Sequence, residues 1–111
     1  MDTILENSRA QMRRGVLEYS ILLVLQRGDE YPSSIMQKLK DADLIVVEGT
    51  LYPLLIRLKN QGLLSYRWEE STQGPPRKYY SITDEGRTRL LELDASWKDL
   101  AETIETLRKT E

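Results

Sequence analysis

The sequence predicts a mostly α-helical chain with one small β-hairpin, and three observations carry that expectation. Leu51, Leu54, Leu55 and Leu58 stand at i, i+3, i+4 and i+7 within "GTLYPLLIRL", the spacing of one buried helical face. Past Gly62 the period falls to two: "LLSYRWEE" and "RKYYSI" each alternate, with the Gly/Pro-rich "STQGPP" between them. Leu90, Leu93, Trp97, Leu100, Ile104 and Leu107 then follow at intervals of 3, 4, 3, 4 and 3, an a/d heptad seam.

The 111 residues match one compact unit, and with 40% hydrophobic and 31% charged residues a packed core is expected. The longest apolar run, Ile21 to Leu25, is far short of a membrane span, and the chain is expected to be cytoplasmic with no membrane partner. Cysteine and histidine are both absent. Disulfides, the usual zinc sites and imidazole-based catalysis are therefore excluded. The carboxylates sit on helical surfaces or beside basic residues, so neither an enzyme nor a cofactor is expected.

The first helix is expected over residues 8–27, with Ser8 and Gln11 in the capping-box pattern and Gly28-Asp29 as the stop. "EYPSSIMQKLKDAD" reads as a short second helix with Pro32 at its first position and Ile35, Met36 and Leu39 facing inward. "LIVVEG" reads as a turn or short extended link. In the third helix, 50–61, Thr50 is the expected N-cap. Pro53 then falls at the third helical position, where no intrahelical hydrogen bond is lost. Gly62 ends this helix at C′. The last helix starts at a Thr83 cap with Asp84 and Glu85 at the positive end of its dipole.

This order is that of a winged helix-turn-helix (residues 1–82) followed by a long C-terminal dimerisation helix (residues 83–111). The third helix is the one such an arrangement offers to the DNA major groove. Opposite its leucines stand Pro53, Ile56 and Asn60, flanked by Tyr52, Arg57 and Lys59, a set suited to thymine methyls, base edges and phosphates. Arg77 and Lys78 lie at the base of the hairpin tip and Gln73 on it, within reach of a minor groove or a phosphate. Tyr79 shares a face with Arg77 and offers its hydroxyl to a phosphate, whereas Tyr66, Trp68 and Tyr80 are expected to pack the hairpin on the helices. Ser34, at the start of the second helix, completes the candidate DNA-binding set.

Net charge is −2, which does not favour nucleic acid, but its distribution matters more. Residues 49–82 carry five cations against Glu69 and Glu70, while eight acidic residues follow from Asp84 on. A winged-helix module that binds protein instead of DNA is the alternative reading.

"GTLYPLLIRLKNQGLLSYRW" and "GPPRKYYSITDEGRTRL" together resemble the PadR family of bacterial transcriptional regulators. That family shows a Thr-Leu-Tyr-Pro helix start, a Leu-x-x-x-Gly-Leu exit, a basic wing ending in Tyr-Tyr and a Thr-x-x-Gly helix opening. The resemblance spans residues 13–108, and the single C-terminal helix is similar to the compact subfamily. It implies a homodimer that binds double-stranded operator DNA with inverted-repeat half-sites and commonly represses transcription. Thr50, Tyr52 and Pro53 match the recognition-helix start, and Arg77, Lys78 and Tyr79 match the wing. The seam residues Leu90, Leu93, Trp97, Leu100, Ile104 and Leu107 would form the dimer interface. Trp97 matches a tryptophan that, in multidrug-responsive members, stacks on flat aromatic ligands at that interface, so a small aromatic effector is implied. Ala101 stands where some of those members carry an acidic residue.

Overall fold

The computed structural model describes residues 2–109. Met1, Thr110 and Glu111, which the expected bounds include, lie outside the described residues. The elements run α1 (Thr3–Leu25), α2 (Pro32–Asp41), α3 (Glu48–Asn60), β1 (Leu64–Glu69), β2 (Arg77–Ile82) and α4 (Asp84–Lys109).

Helix α1 begins five residues before the expected Ser8 cap. The Asp2 carboxylate accepts from the Leu5 amide at 3.0 Å, and Arg13 donates to Glu6 one turn in at 2.8 Å. The Asp2 cap starts the helix ahead of "TILEN", which holds no Gly or Pro to break it, so the Ser-x-x-Gln pattern falls mid-helix and is not its cap. The helix ends at Leu25 rather than at 27. Leu17, Ile21, Leu22 and Leu25 are buried.

Helix α2 starts with Pro32 at the first helical position, as its missing N–H allows. Its exit is a Schellman motif in which Asp43 takes φ 65. The Leu44 amide donates to Leu39 and that of Asp43 to Lys40. The link to α3 is extended, as expected, over residues 44–47.

Helix α3 corrects the sequence reading. Its N-cap is Val47, whose carbonyl accepts from both Thr50 and Leu51 at 3.0 Å. Thr50 is therefore already helical, and Pro53 lies inside the helix at the sixth position. There its missing N–H deprives the Gly49 carbonyl of a donor. Gly49 is exposed, so water can take that carbonyl. Leu51, Leu55 and Leu58 are completely buried, and this burial outweighs the local loss. At the other end Gly62 is the C′ residue at φ 80, as expected, with Leu63 donating to Leu58 and Gly62 to Lys59.

Strands β1 and β2 pair antiparallel from Leu64–Ile82 to Glu69–Arg77. A third edge joins them: Glu30 exchanges backbone hydrogen bonds with Tyr80 at 2.9 and 3.1 Å. One extended residue before Pro32 thus extends the hairpin and ties the α2 entry to the wing. The core gathers α1, α2, α3 and the hairpin base around Ile21, Leu22, Ile35, Leu55 and Tyr80.

Helix α4 starts where expected. The Thr83 hydroxyl accepts from the Gly86 amide at 3.0 Å and donates to the Gly62 carbonyl at 2.7 Å. Its seam divides in two. Leu90 is buried and Leu93 packs against the core, whereas Trp97, Leu100, Ile104 and Leu107 are all exposed. The far half of α4 therefore projects from the core, giving extents of 60 × 38 × 22 Å. Tyr19 of α1 donates to Asp94 of α4 at 2.5 Å where the helices part.

Candidate nucleic-acid interface

The exposed side of α3 carries Tyr52, Pro53, Ile56, Arg57, Lys59 and Asn60, as its 3.6-residue period demands once the leucines face inward. A groove of about 410 Å³ separates this helix from the hairpin. Tyr52 and Ile56 line it from α3, Trp68, Pro76, Arg77 and Lys78 from the hairpin, and Tyr31, Pro32 and Ser33 from the start of α2. Tyr52 and the neighbouring candidates Arg77 and Lys78, far from it in sequence, thereby meet across one space.

The hairpin cations rest on aromatic rings. The Arg77 guanidinium lies 3.9 Å from the Tyr31 ring centre, and Tyr31 in turn stacks on Tyr79 at 4.7 Å. Arg67 closes this column 4.4 Å from the Tyr79 ring. On the opposite face the Lys78 ammonium lies 4.4 Å from the Tyr66 ring. Neither Arg77 nor Lys78 has a carboxylate partner among the described residues. A ring quadrupole orients a cation without cancelling its charge, so both remain available to an anion.

Arg67 is spent otherwise. It pairs with Asp29 at 2.9 Å and with Glu69 at 3.1 Å. The Arg67 hydrogen bond holds the Asp29 carboxyl below its ordinary value, against a smaller opposing effect of burial. This pair pins the hairpin to the turn after α1.

Several candidate residues lie elsewhere. Thr50 is half-buried on the α1 side, beside Leu17 and Val46, and does not face outward with Tyr52. Arg57 leans to the same side, 3.9 Å from Glu18, which Arg89 of α4 also approaches at 3.9 Å. The half-buried Ser34 hydroxyl donates to the Tyr31 carbonyl at 3.0 Å, engaging it in the helix entry. Gln73 is exposed on the hairpin tip, and Tyr79 is held in the aromatic column.

Two residues were misjudged or missed. Trp68 was expected to pack on the helices, but it is 62% exposed, because β1 runs past the core before reaching it; only Tyr80 is fully buried and Tyr66 half-buried. Tyr31 had no local signal, since its place depends on the single-residue pairing of Glu30 with β2.

A second apolar groove, of about 630 Å³, lies between α1 and the projecting half of α4. Met12 and Val16 line one side, and Trp97, Leu100, Ala101 and Ile104 the other. Among the described residues no helix is long and apolar enough to cross a membrane.

The model of the transcriptional regulator PadR-like family matches residues 21–92. A PadR-like transcription factor from Bacteroides fragilis is 62% identical, with 91% of this chain and 98% of that one covered at a TM-score of 0.77. A PadR family transcriptional regulator from Eggerthella lenta is 35% identical, covering 97% and 95% at a TM-score of 0.86. A PadR-like transcriptional regulator from Bacillus cereus is 37% identical, covering 91% and 99% at a TM-score of 0.77. These relatives are transcriptional regulators rather than enzymes, and they share the helices and winged hairpin described above. The chain belongs to the PadR-like family of transcriptional regulators.

Proposed function

We propose that this protein acts in the cytoplasm as a dimeric DNA-binding repressor whose α3 enters the major groove of an inverted-repeat operator while the hairpin reaches the adjoining backbone. The observation that carries this reading is a pair of cations with no carboxylate partner among the described residues. Arg77 and Lys78 are held on aromatic rings directly across a groove from Tyr52 and Ile56. Phosphate contacts supply affinity and orientation, and an exposed helix face with a tyrosine, an isoleucine and an amide supplies base-edge contact. The negative net charge does not oppose this, because α4 carries much of the acid away from the helix-hairpin face.

The second groove supports the dimer. Trp97, Leu100, Ile104 and Leu107 leave an apolar stripe on a projecting helix, and such a stripe is stabilised by a second copy. Met12 of α1 adds to it. Two copies joined there would present two recognition helices to two half-sites. Trp97, at the same groove, is the residue on which a flat aromatic effector would stack.

Selection of bound duplexes from a random library tests the whole reading. Recovery of an inverted repeat, bound less tightly as salt rises, is the expected result. Failure to enrich any duplex would favour the protein-binding alternative. For the effector, planar aromatic compounds such as acridine are expected to quench Trp97 in a Trp68→Phe background; unchanged emission removes that part.

A further inference from the structure

Trp68 is a large apolar side chain left in solvent halfway along the wing. It stands across the strand pair from Lys78 and edge-on to Tyr66, with ring centres 6.0 Å apart at 89°. The Lys78 ammonium lies over Tyr66 and within 5.6 Å of the Trp68 ring. Opposite stand Tyr52 and Ile56, the groove-facing residues of α3.

Duplex geometry says what belongs in that space. One sugar–phosphate strand separates a major groove from the neighbouring minor groove. A protein with a helix in the first and a hairpin at the second must straddle that strand. Deoxyribose presents C–H surface and each phosphate presents oxygens, so the strand calls for apolar area beside cations. Trp68 and Pro76 supply the first, and Lys78 and Arg77 the second. The indole N–H is a donor only, which suits a phosphate oxygen.

We propose that Trp68 docks on the deoxyribose–phosphate strand lying between α3 and the wing, its ring on a sugar while Lys78 takes the adjoining phosphate. This rests on the DNA-binding reading above. A neutral ring on the backbone adds affinity without reading a base and without displacing a counterion.

The test uses the full chain, a fluorescein-labelled duplex recovered by selection and a scrambled duplex of equal composition. Trp68→Ala is expected to weaken binding to both duplexes by the same factor, about tenfold. Trp68→Phe should lose less. The slope of affinity against salt should stay at its wild-type value. Because Trp68→Ala could disturb the hairpin, the wild-type indole N–H resonances are followed as well, assigned with Trp68→Phe; that of Trp68 should shift on adding either duplex. An unshifted Trp68 resonance with unchanged affinity overturns the proposal and leaves the DNA-binding reading intact. A loss confined to the selected duplex assigns the ring to a base and overturns the strand contact. Absence of wild-type binding to either duplex overturns the DNA-binding reading itself.

Discussion

Gly86 lies so close to Leu63 that a Cβ built on it would stand 2.2 Å from the Leu63 carbonyl oxygen and 2.7 Å from Ile82 Cγ1. The first turn of α4 is laid directly on the link between α3 and β1 and on the end of β2. The glycine that interrupts a full capping box after Thr83 is thus what lets the last helix dock. Gly86→Ala gains roughly 1 kcal/mol of helix propensity. It must also push a backbone carbonyl aside, and overpacking of this kind costs about 1–3 kcal/mol or more. We expect the clash to win, with the thermal midpoint falling by roughly 10 °C in a calorimetric scan. A midpoint at or above wild type would show that α4 docks less tightly.

Tyr19 and Asp94 tie α1 to α4. Hydrogen bonding to Asp94, reinforced by burial and by the carboxylate charge, holds the Tyr19 hydroxyl above its ordinary value. Tyr19→Phe should cost about 1–2 kcal/mol in urea unfolding at neutral pH. Because the folded value is raised, this contribution is full below the ordinary tyrosine range near pH 10 and is lost as pH rises through the folded value. The difference between wild type and variant should stay constant from about pH 6 to 9 and shrink above about pH 10.

Asp29 shows the opposite sign. Its value is lowered by Arg67, so that stability is present above the ordinary aspartate range and lost as pH falls through the folded value. The pair is largely exposed, so solvent screening keeps its contribution small. Arg67→Ala should return the Asp29 carboxyl toward its ordinary value in an NMR titration. The same change should loosen the Tyr31–Tyr79 column that supports Arg77.

Arg77→Ala and Lys78→Ala should each lower the slope of log affinity against log salt by about one, with little change in sequence preference. Tyr52→Ala should instead alter the preferred half-site. Anisotropy titrations over a salt series distinguish the two outcomes. Equal slopes for all three variants would place the phosphate contacts elsewhere.

Ile104→Glu puts a charge in the middle of the projecting stripe. Sedimentation should show a dimer for wild type and a monomer for the variant, with the far-ultraviolet spectrum of the helix-hairpin unit retained, since Ile104 takes no part in the core. A variant that remains dimeric would move the interface off α4.

The periodic elements were readable because their signals are local. Four leucines on one face, an alternating pair of runs and a heptad seam each declare themselves within a few residues. Gly62 and Pro32 sit where their backbone chemistry placed them. Helix starts were read less well. Ser8 and Thr50 both have the chemistry of a cap, but a cap is used only where the preceding residues leave the helix. "TILEN" and Glu48-Gly49 do not leave it.

The sequence by itself determined the order of elements, the faces that α2 and α3 bury, the basic character of the hairpin and the resemblance to PadR regulators. These depend on spacing and composition along the chain. Only the tertiary structure decided which of the candidates share a space. It separated Thr50 and Arg57 from Tyr52, and it brought Tyr31 beneath Arg77 through one residue of strand pairing. It carried Trp68 past the core into solvent and divided the α4 seam into a buried and a projecting half. Those outcomes turn on where one element ends against another, and no periodicity within a single element contains that information.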